Sequence, residues 1–127
     1  MKKIFFLFLI SAIHFVSISC SSDNNEPSLY KGNWNGTIDG DIVGTWSGNV
    51  TTNGNFSGTV IPASSTPDHN FTLSGKVNKN GNLVATMKNT TYGITINFVG
   101  NFQSTTCNGT WVFDGAGMQG IWNGEKN

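Results

Sequence analysis

The sequence contains no arginine, its seven lysines are matched by seven Asp and Glu, and only 11% of its positions are charged, for a formal net charge of zero. A chain without a basic face cannot hold a phosphate backbone, which excludes nucleic acid as a partner. Cysteine is nearly as scarce: two residues, Cys20 and Cys107, do not make a disulfide framework. The charged, amphipathic stretches of a helical protein are missing as well. Abundant instead are glycine (sixteen, all after residue 31), asparagine (seventeen) and threonine (fourteen). In a chain of one-domain length this mixture indicates short strands and tight turns.

The two ends of the sequence are different objects. Lys2-Lys3 leads into an apolar stretch from Ile4 to Val16, broken only by Ser11 and His14, and then to Ser17-Ile18-Ser19 and Cys20. Charged, apolar and small-residue regions in that order read as a secretory signal, too short to span a bilayer as a helix. Residues 1–19 are therefore expected to be removed. Residues 20–29, with Ser21-Ser22-Asp23-Asn24-Asn25-Glu26-Pro27-Ser28, form a polar tether, and residues 30–127 form the folded domain. Removing Lys2 and Lys3 leaves five lysines against seven acids, net −2. On that count no basic membrane patch remains, and only a lipid could hold the domain on a bilayer. Left free, Cys20 could instead bridge to Cys107 in an oxidising envelope; acylated, it leaves Cys107 without a partner.

From Tyr30 onward an aromatic or apolar residue recurs between glycines, as in Gly32-Asn33-Trp34-Asn35-Gly36, Gly44-Thr45-Trp46-Ser47-Gly48, Gly54-Asn55-Phe56-Ser57-Gly58 and Gly120-Ile121-Trp122-Asn123-Gly124. Weaker echoes place further anchors at Leu73, Phe98 and Trp111, and Ala85 falls in the remaining gap. Spacings near one strand plus one turn predict an all-β domain of eight antiparallel strands in an up-and-down meander. Asp39-Gly40, Asn53-Gly54, Asn80-Gly81 and Asp114-Gly115 supply hairpin signals between anchors. Alternation assigns one face to Trp46, Val50, Phe56, Val60, Phe71, Leu73, Val77, Leu83, Ala85, Met87, Ile94, Ile96, Phe98, Phe102, Trp111, Phe113, Met118 and Trp122. The opposite face is Thr, Ser and Asn, from Thr45 and Ser47 to Asn108 and Thr110. The flanking glycines share the apolar face, leaving room for a large ring from a neighbouring strand to lie across them. An open sheet of this kind would expose two edges and an apolar face, so closure into a small barrel is expected. A two-sheet sandwich and a single sheet dimerising through its apolar face are the alternatives.

Chemistry is sparse. Beyond the tether the carboxylates are Asp39, Asp41, Asp68, Asp114 and Glu125, and the only histidine outside the signal is His69. Adjacent residues rarely supply base and orienter, and no nucleophile-elbow pattern accompanies Asp68-His69, so no catalytic residue is assigned. Asp39-Gly40-Asp41 lacks the further acids of a calcium loop, and neither a metal nor a cofactor is expected. Six Asn-x-Ser/Thr sequons, at Asn35, Asn49, Asn55, Asn70, Asn89 and Asn108, follow from an Asn- and Thr-rich composition. The longest connection, Pro62 to Asn70, makes Asp68, His69 and Asn70 the candidate recognition loop. Were the interior hollow, Trp46, Phe56, Phe98, Trp111 and Trp122 would line it.

Two resemblances accompany this reading. A Cys after small residues, followed by Ser-Ser-Asp, resembles the lipobox and tether of Bacteroidetes-type surface lipoproteins, which implies a lipid on Cys20 and a surface-exposed place on the cell outer membrane. Gly44-Thr45-Trp46, Asn53 to Val60, Phe71 to Val77 and Asn108 to Trp111 resemble strands of avidin- and lipocalin-like barrels, which implies the meander. Avidin-like proteins carry a biotin-binding Tyr where this chain has Val60, so biotin is left out of the expectation. The expected function is a non-enzymatic, lipid-anchored interaction module for an external or envelope partner; the alternative is a carrier of a small apolar ligand inside the barrel.

Overall fold

A computed structural model describes residues 26–63 and 66–127. The signal segment, Cys20, residues 21–25 of the tether, Ser64 and Ser65 lie outside the described residues. Eight strands follow one another: β1 (Gly32–Gly40), β2 (Gly44–Val50), β3 (Asn55–Pro62), β4 (Phe71–Val77), β5 (Asn82–Asn89), β6 (Ile94–Phe102), β7 (Thr106–Phe113) and β8 (Met118–Lys126). Each holds one of the anchors read from the repeat. Every strand pairs antiparallel with its sequence neighbour and β8 pairs back to β1, closing a barrel. Closure leaves neither an open sheet nor a two-sheet sandwich. Gly54 and Gly81, in turns marked by Asn-Gly, have φ of 86° and 90°, where a side chain would be strained.

The register fixes the width of the barrel. From Gly32 a row of facing residues runs through Val50, Phe56, Gly75, Ala85, Phe98, Trp111 and Gly120 and returns to β1 at Gly40. The row climbs from 32 to 40, eight residues in one circuit of eight strands. Equal stagger and strand number set a tilt of about 36° and an interior that side chains can fill.

The inward face is the apolar one, with every assigned residue buried except Ile94, Phe113 and Met118, which are half-buried at one mouth. Trp34, Ile38 and Cys107 join it, each no more than 1% exposed. The Thr, Ser and Asn face looks outward, as expected from the alternation.

Inward glycines meet one another across strands: Gly36 faces Gly124, Gly48 faces Gly58, and Gly100 faces Gly109. The first and last of these pairs seat indoles, and Gly48 lies against the Phe56 ring. A Cβ on Gly109 would lie 2.0 Å from Val99 O and 2.7 Å from the Trp122 ring. Trp122 Nε1 donates to that same carbonyl at 3.0 Å. The arrangement recurs with Gly120, Asp39 O and Trp111 Nε1, and is shared across the Gly36–Gly124 pair, where Gly36 lies against Asn123 O, the acceptor for Trp46 Nε1, and Gly124 against the Trp46 ring. Glycine thus admits both a ring and the carbonyl that satisfies its buried N–H. Trp34 donates to Tyr30 O at 2.8 Å, which ties the incoming chain to the core.

Alternating strand direction sorts the connections onto two ends. Residues 26–31 and the turns 51–54, 78–81 and 103–105 share one, here the tether end. Connections 41–43, 63–70, 90–93 and 114–117 form the far end. Tyr30 packs on Phe102 with ring centroids 6.2 Å apart, and Lys126 Nζ lies 5.7 Å from the Trp34 ring, so the tether end is stoppered.

Candidate functional site

The β3–β4 connection folds back over the far end. Pro67 starts a short 3-10 turn, Pro67–His69, for which its fixed φ is suited, and Asn70 N closes the turn on Pro67 O at 3.1 Å. One buried polar side chain pins the segment. Asn89, 4% exposed at the end of β5, donates from Nδ2 to Asp68 O (2.8 Å) and Asn70 O (3.0 Å). Its Oδ1 accepts from Tyr92 N at 2.9 Å, so the same amide shapes the 90–93 turn.

The two connections therefore present one surface. The His69 imidazole stacks on the Tyr92 ring, with centroids 5.2 Å apart and planes 7° off parallel. Tyr92 Oη donates to Asp68 Oδ2 at 3.1 Å, and the Thr66 hydroxyl donates to Asp68 Oδ1 and lies 3.2 Å from His69 Nδ1. The Thr66 hydroxyl, then the Tyr92 hydroxyl, hold the Asp68 carboxyl below its usual pKa; the same bond and the carboxylate charge push the Tyr92 phenol up. Of the expected recognition residues, Asp68 and His69 are exposed and Asn70 is half-buried. Tyr92 was missed because it lies in a different connection. Its position before Gly93, in a turn on the same end as residues 63–70, was the available signal.

A hydrolytic triad sets the imidazole between acid and nucleophile. Here the Thr66 hydroxyl sits between Asp68 and His69, and all three groups are open to solvent. The cluster offers a carboxylate, an aromatic pair and amide groups for contact. Asp39 and Asp41 serve turns, accepting from Gly40 N (2.8 Å) and Gln119 N (2.9 Å) respectively. Among the described residues, no three His, Cys, Asp or Glu side chains gather where a metal could bind.

The interior residues considered as ligand contacts pack on one another. Phe98 stacks on Trp122 at 4.5 Å, while Trp46 meets Phe56, Phe98 and Trp122 edge-on at 5.7–6.3 Å. Phe98 and Trp111 are 0% exposed and Trp46, Phe56 and Trp122 no more than 2%, so no water-sized void adjoins them. Cys107 lies in the same core at 1% exposure, and burial pushes its thiol up to about 12.

Outside, polar side chains bond laterally, Asn49 to Asn33 at 2.8 Å and Asn101 to Asn82 at 3.1 Å. Charge is sorted by end. Lys31, Lys76, Lys79 and Lys126 stand at the tether end, and Asp39, Asp41, Asp68 and Asp114 at the far end. The expectation that no basic patch remains is thus corrected: net charge averages over two ends of opposite sign. The alternating turns of a meander carry that information, since Lys31 and Lys79 flank or occupy connections of one set.

No protein-family model matches the chain, and comparison with curated proteins and with solved structures finds no match.

Proposed function

We propose that this is a non-enzymatic, lipid-anchored protein of the cell outer membrane whose barrel presents the far-end connections to an external partner. The reading rests on one observation: the chain enters the barrel at one end and the β3–β4 connection crowns the other. A lipid on Cys20 would hold that rim away from the bilayer. An apolar-ligand carrier would require the interlocked rings to part, and nothing in their packing favours it.

Fatty-acid labelling that depends on Cys20 tests the anchor; unchanged labelling in Cys20→Ser rejects it. For the rim, residues 63–69 are replaced by a short Gly-Ser linker and attachment to a partner captured on the intact protein is measured. Weaker attachment with an intact barrel is expected. Full attachment would move recognition to the Thr, Ser and Asn wall.

A further inference from the structure

The opposite charge of the two ends has a use that net charge conceals. Four lysines against Glu26 and Glu125 leave the side chains of the tether end at +2 among the described residues, or +1 with Asp23 of the tether, while four aspartates against Lys88 leave the far end at −3. Strands of seven to nine residues rising about 3.3 Å per residue and tilted about 36° separate the ends by roughly 20 Å. That is about twice the screening length at physiological salt. The basic end therefore acts on its surroundings independently of the acidic one.

The same end carries an apolar side chain with no protein cover. Leu29 is 78% exposed, and it borders a groove with Pro27, Asn53, Lys76, Asn78 and Lys79. We propose that the tether end is a docking face for an anionic membrane surface, in which lysines meet headgroup phosphates and Leu29 enters the headgroup–acyl boundary. The proposal rests on the Cys20 anchor for what brings this end to the bilayer. Lysine stems beside an exposed leucine suit an interface that is charged outside and apolar beneath. A soluble polyanion would leave Leu29 in water. Docked this way, the barrel stands upright with Asp68, His69 and Tyr92 outward, and its acidic end is repelled by the same headgroups.

The test uses the mature chain carrying Cys20→Ser, so that no acyl group contributes, in co-sedimentation with vesicles. Equal parts of phosphatidylcholine and phosphatidylglycerol should bind it, pure phosphatidylcholine should not, and added salt should release it. Lys76→Gln and Lys79→Gln should each weaken binding about fivefold. Leu29→Ser should weaken it further, while Asp41→Asn and Asp114→Asn at the far end should not weaken it. Both lysines are exposed, so unchanged tryptophan fluorescence verifies the fold of each variant. Equal binding to both vesicle types, unaltered binding of the lysine variants, or capture by soluble polyphosphate without vesicle binding would overturn the proposal. Acyl labelling is read separately: a labelled Cys20 without vesicle binding sinks the docking face alone, and vesicle binding without label sinks the anchor alone.

Discussion

Replacing Gly109 by Ala tests the seating of the indoles directly. The added methyl would lie 2.0 Å from Val99 O, 2.6 Å from Gly100 Cα and 2.7 Å from Trp122 Cε2. Two of these are backbone atoms, held by the β6–β7 pairing, and the third belongs to a ring that is 1% exposed. Relief must move the carbonyl, the strand and the indole together. Overpacking of this kind costs about 1–3 kcal/mol, and displacing the carbonyl weakens the Trp122 hydrogen bond, worth about 1 kcal/mol. Loss of glycine's freedom in the unfolded chain returns about 0.4–1 kcal/mol. The net is a destabilisation of about 2–3 kcal/mol.

The assay is urea unfolding of the mature Cys20→Ser chain followed by tryptophan fluorescence. With a slope of about 1–2 kcal/mol per molar for a domain this small, the midpoint should fall by about 1–3 M. Two controls rank the effect. At Gly48 the nearest atoms are a Phe56 ring carbon and Ser57 O, both at 2.9 Å, and a smaller loss follows. At Gly115 the methyl meets only the Phe113 ring, at 3.1 Å, and stability should hardly change. If the Gly109, Gly48 and Gly115 variants unfold at the same urea concentration, the close strand approach does not exist and the account of the core fails.

Three further outcomes follow from the same packing. Trp46→Ala and Trp111→Ala should each cost about 3–5 kcal/mol in thermal or urea unfolding, whereas Thr45→Ala and Thr110→Ala on the exposed wall should stay within about 0.5 kcal/mol. Asn89→Ala removes three hydrogen bonds at a buried amide and should cost about 1–3 kcal/mol, with faster amide exchange confined to residues 66–70 and 90–93. Native protein should resist thiol reagents at Cys107; because burial raises the thiol from 9.0 to about 12, the unfolded chain loses its proton first, so stability falls as the pH rises from about 9 towards 12. Cys107→Ala should remove that part of the slope, and a native chain that titrates rapidly with thiol reagent at neutral pH would contradict the burial.

Strand number, order and facing were legible because four strands carry a strong local signal, a large aromatic residue between inward glycines, and the spacing and alternation of the other four agree with it. What that signal could not resolve was membership where the local pattern is weak. Ile38 stands between Thr37 and Asp39 in a stretch that reads as a turn, and Cys107 reads as thiol chemistry, yet the closed register turns both inward. The loop residues Asp68, His69 and Asn70 were singled out from length and proline content. Tyr92 and Asn89, which give that loop its shape, come from the next hairpin but one, and the β4–β5 pairing sets them beside it. The sorting of charge was legible in principle. In a meander of eight strands alternate turns share an end, and that alternation assigns the lysines and aspartates to their ends.

An even strand count has one more consequence. A closed meander of eight strands must begin and finish at the same end, so the far-end connections are held at the full strand length from the tether whatever their sequence. The stagger of eight and the glycine pairs pack that spacer closely around its rings. Lateral bonds such as Asn49 to Asn33 and Asn101 to Asn82 occupy part of the wall's polar capacity with itself. Sequence change for binding would therefore act most freely on the two ends, and the Asp68, His69 and Tyr92 surface lies at the end opposite the one where the chain enters the barrel.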